Sequence, residues 1–197
     1  MSAAGVETTK TKWLSSTTFG LGESLAGTSA VCSLDAAVDP ATGDVGMVLV
    51  TRKGGKDFVW LLVQRAVDGA LISTEILSKT SKGDCRKGYA GARIVPDNKA
   101  WLVGTFEAPT SLLPTSGVIA MHRVLNSDVK TILTLDSVSS TTTDSSVPTM
   151  GPTVSLAWRG LSDMLRHPNG AVTLVLEMND SANADKRAIA VHSFMPK

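Results

Sequence analysis

The sequence is poor in aromatic residues, which make up 5 % of its 197 residues, so aliphatic side chains have to fill the interior. It also has almost no net charge, because 19 Lys and Arg residues against 18 Asp and Glu residues give +1. A domain that binds polyanions generically is usually strongly basic, so this balance disfavours that class. No run approaches the roughly 20 apolar residues that a transmembrane helix needs. Hydrophobic residues nevertheless form 43 % of the chain, which is typical of a globular core.

Only two cysteines occur, Cys32 and Cys85, and neither belongs to a CxxC motif. The sequence leaves a disulfide and two free thiols open, and we interpret the pair as free buried thiols in a reducing compartment. The first residues, MSAAGVETTKTKW, contain no apolar stretch of the kind found in a secretory signal. We therefore expect a soluble, intracellular protein.

From residue 29 onward, short apolar runs alternate with turn signals. Clusters of Gly, Pro, Asn and Asp separate the runs, and Asp68-Gly69 predicts a two-residue hairpin turn. Many short strands separated by turns predict an all-β sandwich or barrel. The runs cover residues 29–34, 45–52, 57–66, 70–77, 92–95, 100–107, 117–124, 129–136, 153–158, 171–178 and 188–195.

Several runs are apolar at both even and odd positions, as in MVLV (47–50), VWLL (59–62) and VTLVL (172–176). A strand with one face in water should alternate, so these runs predict strands that are covered on both faces. No repeat of fixed period is evident, which disfavours a propeller or a solenoid. We expect an N-terminal arm at 1–28 and a single β-sandwich domain at 29–197.

One short helix is predicted near 160–167. Leu161, Met164 and Leu165 form an i, i+3, i+4 apolar stripe, and Pro168 follows as a stop signal.

No sequence motif for catalysis or metal binding is evident. His122, His167 and His192 stand singly, without an HExxH or HxH pair, and no GxSxG motif occurs. His122 and His192 lie inside strand-like runs, where a hydrogen-bonded structural histidine is the commoner role. We therefore predict a protein that is not an enzyme and that uses no cofactor and no metal.

One segment, 79–93, concentrates positive charge in a nearly neutral chain, with Asp84 as its only acidic residue. Its glycines indicate an exposed loop. Such a loop is either ordinary solvated surface or a phosphate-binding patch, because Lys and Arg neutralise phosphates without reading sequence. The candidate nucleic-acid-binding residues are Lys79, Lys82, Arg86, Lys87 and Arg93.

The C-terminal segment 171–197 consists of an apolar strand, a loop with the sequence NDSANADK, and a second strand that carries His192 before Pro196. It resembles the last two strands of jelly-roll coat proteins of small plant RNA viruses, the bromovirus and cucumovirus type. GLSDMLRHP (160–168) is similar to the short helical connection that precedes those strands. The resemblance implies an antiparallel Greek-key jelly roll, with about eight main strands and the C-terminal strand in the middle of a sheet.

The last strand, 188–195, is accordingly predicted to be interior, between the strand at 57–66 and one near 29–36. Its residues leave little polar surface, and an exposed apolar edge would invite aggregation. Side-chain alternation places Ile189 and Val191 on one face of this strand.

The resemblance implies a viral coat protein that self-assembles into a shell enclosing RNA, in the virion and the host cytoplasm. RNA would contact the basic loop, because the arm at 1–28 contains only Lys10 and Lys12 where those coats have an arginine-rich arm. Two alternatives stay open. One is a jelly-roll movement protein that binds single-stranded nucleic acid, and the other is a β-sandwich hydrolase or sugar-binding module.

Overall fold

A computed structural model describes residues 28–80, 84–85, 87–109, 117–136, 156–180 and 187–196, and within these ranges every regular element is a β-strand. Each of the eleven predicted runs overlaps one strand, so the all-β prediction is confirmed. The predicted arm lies outside the described residues except for Thr28. The strands are β1 (Thr28–Val38), β2 (Val45–Lys53), β3 (Lys56–Gln64), β4 (Leu71–Thr80), β5 (Tyr89–Asp97), β6 (Ala100–Glu107), β7 (Val118–Leu125), β8 (Asp128–Leu135), β9 (Leu156–Arg166), β10 (Val172–Asp180) and β11 (Arg187–Phe194).

The strands form three antiparallel sheets, each built from strands that are consecutive in sequence. Sheet 1 has the order β1-β2-β3-β4, sheet 2 has the order β5-β6-β7-β8, and sheet 3 has the order β9-β10-β11. These are meanders, so the predicted Greek-key order is not found among the described strands. The recurring meander is also a structural repeat, which the sequence did not reveal by any fixed period.

Three hairpins are closed by two-residue turns whose central residues both have positive φ: Gly54-Gly55, Asn98-Lys99 and Asn126-Ser127. This geometry matches the right-handed twist of the flanking strands, and Gly and Asn adopt it most readily. The hairpin predicted at Asp68-Gly69 exists, but its length was wrong. The N–H of Arg65 donates to the carbonyl of Ala70 over 2.9 Å, so this turn contains four residues.

Sheet 2 lies between the other two sheets and contributes to two separate cores. In β6, Trp101 and Val103 pack in a core shared with sheet 1, whereas Leu102 and Phe106 pack in a core shared with sheet 3. Alternate side chains of a strand point to opposite faces. A strand of the middle layer is therefore covered on both faces, and every residue of AWLVGTFE (100–107) except Glu107 is buried, including the polar Thr105.

β5, the first strand of sheet 2, lies between β1 and β9, the first strands of the other two sheets. The N–H of Ile94 in β5 donates to Asp35 Oδ2 of β1 over 3.0 Å. Arg93 Nε of β5 donates to the carbonyl of Ser162 in β9 over 2.7 Å. Polar side chains of β1 and β5 thus bind backbone groups at the edges of β5 and β9, where no described strand pairs with them.

The helix predicted near 160–167 is wrong, because these residues form most of β9. A β-bulge at Ser162 explains the misleading apolar stripe: Asp163 pairs with Val175, but Leu161 pairs with the next residue along β10. The extra residue brings Leu161 and Met164 to the same face of the strand. Both pack in the core between sheets 2 and 3, whereas Leu165 is half exposed on the opposite face.

The prediction that the C-terminal strand lies inside a sheet is also wrong. β11 pairs with β10 and with no other described strand, so it is the edge of sheet 3. The predicted alternation is confirmed, because Ile189 and Val191 share one face while Phe194 packs against the core from the other. That first face, however, is open to solvent.

Cys32 and Cys85 form a disulfide with their Cα atoms 5.2 Å apart, so the prediction of two free thiols is wrong. The bond joins β1 to the connection between β4 and β5. Disulfides are typical of proteins in oxidising environments, and the two cysteines therefore no longer support a reducing compartment.

Candidate functional site

The five basic residues predicted to bind nucleic acid do not form one exposed loop. Lys79 is the last residue but one of β4, and its ammonium pairs with Glu107 and lies 4.2 Å from the centre of the Tyr89 ring. Arg93 lies in β5, and its guanidinium donates to two backbone carbonyls, those of Ser162 and Ala92.

The other three basic residues lie in the connection between β4 and β5. Lys87 is exposed, and Lys82 and Arg86 fall outside the described residues. Nucleic-acid binding through this segment stays a prediction.

Lys79 belongs to a charged cluster around Tyr89, at the junction of sheets 1 and 2. Burial is the main cause that raises the pKa of Tyr89, and the negative charges of Glu107 and Asp57 raise it further. Its phenol therefore stays protonated at neutral pH and supplies no base. Asp57 is buried, and its Oδ1 accepts a hydrogen bond from Arg52 Nε over 2.8 Å. Among the described residues the cluster contains no nucleophile beside a base, and the contacts of Lys79 with Glu107 and Tyr89 join the two sheets.

A second buried carboxylate joins sheets 2 and 3. Asp97, at the end of β5, pairs through Oδ2 with Arg123 Nε over 3.2 Å and through Oδ1 with Arg166 Nη2 over 2.5 Å. One acidic group thus has two cationic partners, which compensates its loss of hydration. No local sequence pattern indicates this group, because its partners are 26 and 69 residues away along the chain.

His122 is the most buried of the three histidines, and it is structural. Its Nδ1 lies 3.0 Å from Thr131 Oγ1 and its Nε2 lies 3.3 Å from Thr105 Oγ1. Burial lowers the pKa of His122 to about 4, so the ring is neutral at physiological pH. This agrees with the role predicted from its place in an apolar strand.

A chain of hydrogen bonds on sheet 3 has one feature of a catalytic site. His167 Nε2 lies 2.7 Å from Thr173 Oγ1, which lies 2.7 Å from Ser193 Oγ. That spacing suits a base and a nucleophile, but such pairs need a third group to orient the base. No carboxylate in the described ranges hydrogen-bonds to His167, and Thr173 is buried. Nor do the described residues contain a group of three His, Cys, Asp or Glu side chains that could hold a metal.

The outer faces of sheets 1 and 3, which are turned away from sheet 2, carry large exposed apolar side chains. On sheet 3 these are Leu165, Ile189 and Val191, and on sheet 1 they include Leu34 and Val38. An antiparallel sheet with one face in water normally has polar side chains on that face. On sheet 1 the exposure is confined to β1, because Met47, Leu49 and Leu62 on the same face are buried. Among the described residues, the outer face of sheet 3 is therefore the surface with the character of a protein–protein interface.

No protein-family model matches the chain, and no curated protein matches its sequence significantly. Within the described part of the chain, no helix is long and apolar enough to cross a membrane. Function therefore has to be inferred from the surfaces and clusters of the three sheets.

Proposed function

We propose that this chain is a structural protein that associates with copies of itself through the outer face of sheet 3. The observation that supports this is the exposure of Ile189 and Val191 side by side on the outer face of sheet 3. They lie two residues apart on β11 and point to the same side.

The energy available from covering these two side chains is substantial. Complete burial of a Val or Ile side chain contributes roughly 1.5–3 kcal/mol. Because about 70 % of each side chain is exposed, covering both contributes about 2–4 kcal/mol. Leu165 on the same face adds to this. Contact with a partner surface of matching shape therefore releases enough free energy to offset part of the entropy cost of association.

The test is a charge placed on the exposed face. Val191→Lys should leave the fold intact, because the side chain points into solvent, and should shift an oligomer towards the monomer. Val67→Lys is the matched control, since Val67 is even more exposed but lies in the turn between β3 and β4. Sedimentation velocity at several concentrations measures the association. A wild-type chain that stays monomeric at all concentrations would refute the proposal.

The coat-protein function implied by the C-terminal resemblance also requires self-association, and it stays a prediction. The position of β11 no longer supports it, because the jelly roll requires an interior last strand and β11 is an edge strand. A shell is one form that an assembly of this chain could take, and electron microscopy of the purified protein would reveal it directly.

Nucleic-acid binding through the connection between β4 and β5 is the second candidate function. In its favour, Lys87 is exposed and lies two residues from Cys85, where the disulfide anchors the segment to β1. Replacing Lys82, Arg86 and Lys87 by Ala should reduce the salt dependence of single-strand binding by up to about three phosphate contacts. The control replaces the exposed Lys56, Lys99 and Lys130 by Ala, which removes the same charge elsewhere. If the binding affinity of both triple variants depends equally on salt concentration, the segment does not contact nucleic acid specifically and is ordinary solvated surface.

A further inference from the structure

The outer face of sheet 1 is shielded along its middle, although no described strand packs there. Sheet 2 packs on the opposite face, against Val48 and Val50. We call six outer residues the covered strip: Met47, Leu49 and Thr51 on β2, and their ladder partners Leu62, Trp60 and Phe58 on β3. Met47, Leu49 and Leu62 are 8 %, 6 % and 2 % exposed, and they form a cluster whose described members all belong to sheet 1. The shielding includes polar atoms, since Thr51 Oγ1 and Trp60 Nε1 are also buried.

The covered strip has exposed neighbours on both sides. Leu34 of β1 pairs with Leu49 and is 57 % exposed, and Glu75 of β4 pairs with Trp60 and is also exposed. The shielding is therefore limited to two strands, which lie about 5 Å apart, and to about 17 Å along them. A strip of this shape fits one extended segment of about five residues that lies along the strands.

Side chains of an open sheet do not bury one another to this extent. β10, the middle strand of sheet 3, provides the comparison, because its outer face carries Val175, which is half-buried, and Glu177, which is exposed. Thr173 is buried there, but it is small and hydrogen-bonds to two neighbours. Leu49 and Leu62 are larger than Val175 and are nevertheless more buried. The covered strip therefore requires a cover that the described strands do not supply.

Residues 1–27 are attached near one end of the covered strip. The described chain begins at Thr28, which pairs with Lys53, two residues beyond Thr51. An extended segment spans about 3.4 Å per residue, so 27 residues are several times longer than the strip. The internal segments outside the described ranges suit the strip less well. Those at 110–116, 137–155 and 181–186 connect strands of sheets 2 and 3, and those at 81–83 and 86 are too short.

The sequence of the N-terminal segment has the alternation that such a cover requires. Between residues 13 and 25, the large apolar residues Trp13, Phe19, Leu21 and Leu25 lie at odd positions, whereas the even positions carry Ser, Thr and Gly apart from Leu14. Alternate side chains of an extended segment point to the same side. In an extended conformation, one side of this segment would therefore carry all four of these apolar side chains.

We propose that the covered strip is a docking site for an extended apolar segment, and that its occupant is the chain's own segment 1–27, with Phe19 and Leu21 facing β2 and β3. The polar side of the segment then faces the solvent. The docking is independent of the proposed self-association. While the segment is docked, the covered strip is closed to other partners, which leaves sheet 3 as the sheet with an open outer face.

The thioether of Met47 measures the cover directly. Hydrogen peroxide oxidises an accessible methionine to the sulfoxide, and peptide mass spectrometry gives the rate at each methionine. Met195, which is 59 % exposed, and Met121, which is fully buried, are internal references within the full chain. In the wild type, Met47 should react nearly as slowly as Met121.

Two leucine variants separate the docked side of the segment from its other side. Leu21→Ser should raise the oxidation rate of Met47 severalfold, because it removes an apolar contact with the covered strip, and Phe19→Ser should do the same. Leu14→Ser is the matched control and should leave the rate unchanged. An unchanged rate at Met121 shows that the cores are intact. Equal rates at Met47 in the wild type and all three variants would overturn the proposal.

Photo-crosslinking in the full chain identifies the occupant. A benzophenone amino acid replaces either Trp60 in the covered strip or, as the control, the exposed Lys130 on β8. After irradiation, position 60 should crosslink to residues 1–27 of the same chain, and position 130 should not. A product of twice the chain mass would show that a second copy covers the strip. A crosslink from position 60 to 137–155 would show that another segment does, and either result would overturn the proposal.

Discussion

Removal of the disulfide between Cys32 and Cys85 should lower the stability of the fold by several kcal/mol. The perturbation is the double variant Cys32→Ala, Cys85→Ala, or reduction of the wild type. A crosslink restricts the unfolded chain, and its effect grows with the length of the loop that it closes. For the sequence separation of 53 residues, the chain-entropy relation gives about 4 kcal/mol at 25 °C.

Thermal and urea unfolding measure this difference directly. In a chain of this size, 1 kcal/mol shifts the melting temperature by about 2–4 °C, so the double variant should melt about 8–16 °C lower. The slope of the urea transition should rise slightly, because an uncrosslinked unfolded chain exposes more surface. Oxidised and reduced wild type should differ by the same amount as wild type and double variant.

The double variant is also the control, since reductant must have no effect on a chain without cysteine. Equal melting temperatures of the oxidised and the reduced wild type would refute the expected stabilisation. Two thiols that react with a colorimetric reagent in the unfolded, unreduced protein would refute the disulfide itself. The second result would support the interpretation, suggested by the sequence, that Cys32 and Cys85 are free thiols.

Two further predictions concern sheet 2 and its contact with sheet 1. His122 has a pKa of about 4 in the folded state against an ordinary 6.5, so the unfolded chain binds the proton first as the pH falls. The free energy of unfolding measured above pH 6.5 should therefore decrease by about 3 kcal/mol as the pH falls to 4. In urea unfolding, the variant His122→Gln should lack this part of the pH dependence. Gly46→Ala should destabilise by about 1–3 kcal/mol, because the new Cβ would lie 2.6 Å from the Trp101 ring. Gly91→Ala, whose Cβ would meet nothing closer than 3.8 Å, should unfold at nearly the same urea concentration as the wild type.

The strands of this protein could be located from the sequence because apolar runs and turn residues are local signals. Gly54-Gly55 marks a tight turn wherever it lies in the fold, and each of the eleven runs overlaps a strand. Burial on both faces of β2 was likewise predictable, since MVLV (47–50) has no polar position and all four of its residues are buried.

The bulge at Ser162 and the disulfide were not predictable, because both depend on partners that are distant in sequence. Leu161 and Met164 show helical spacing only because the bulge adds a residue between them. The pairing of Cys32 with Cys85 requires β1 to lie beside the start of β5, which no local pattern indicates.

The exposure of β11 was missed for a different reason. Ile189 and Val191 are apolar, as buried residues usually are, but they lie on the edge strand of sheet 3 and are 72 % and 67 % exposed.

The meander connectivity also bears on the order in which the chain folds. The strands of each sheet come from one contiguous stretch, 28–80, 89–135 or 156–194, so every strand pairs with a partner that is a hairpin away. Closing such short loops costs little entropy, and local pairings form quickly. During synthesis, sheet 1 has all of its backbone partners once residue 80 has left the ribosome, before most of sheet 2 exists. Sheet 2 needs both neighbours to cover its two faces, so its side chains should reach their final packing last.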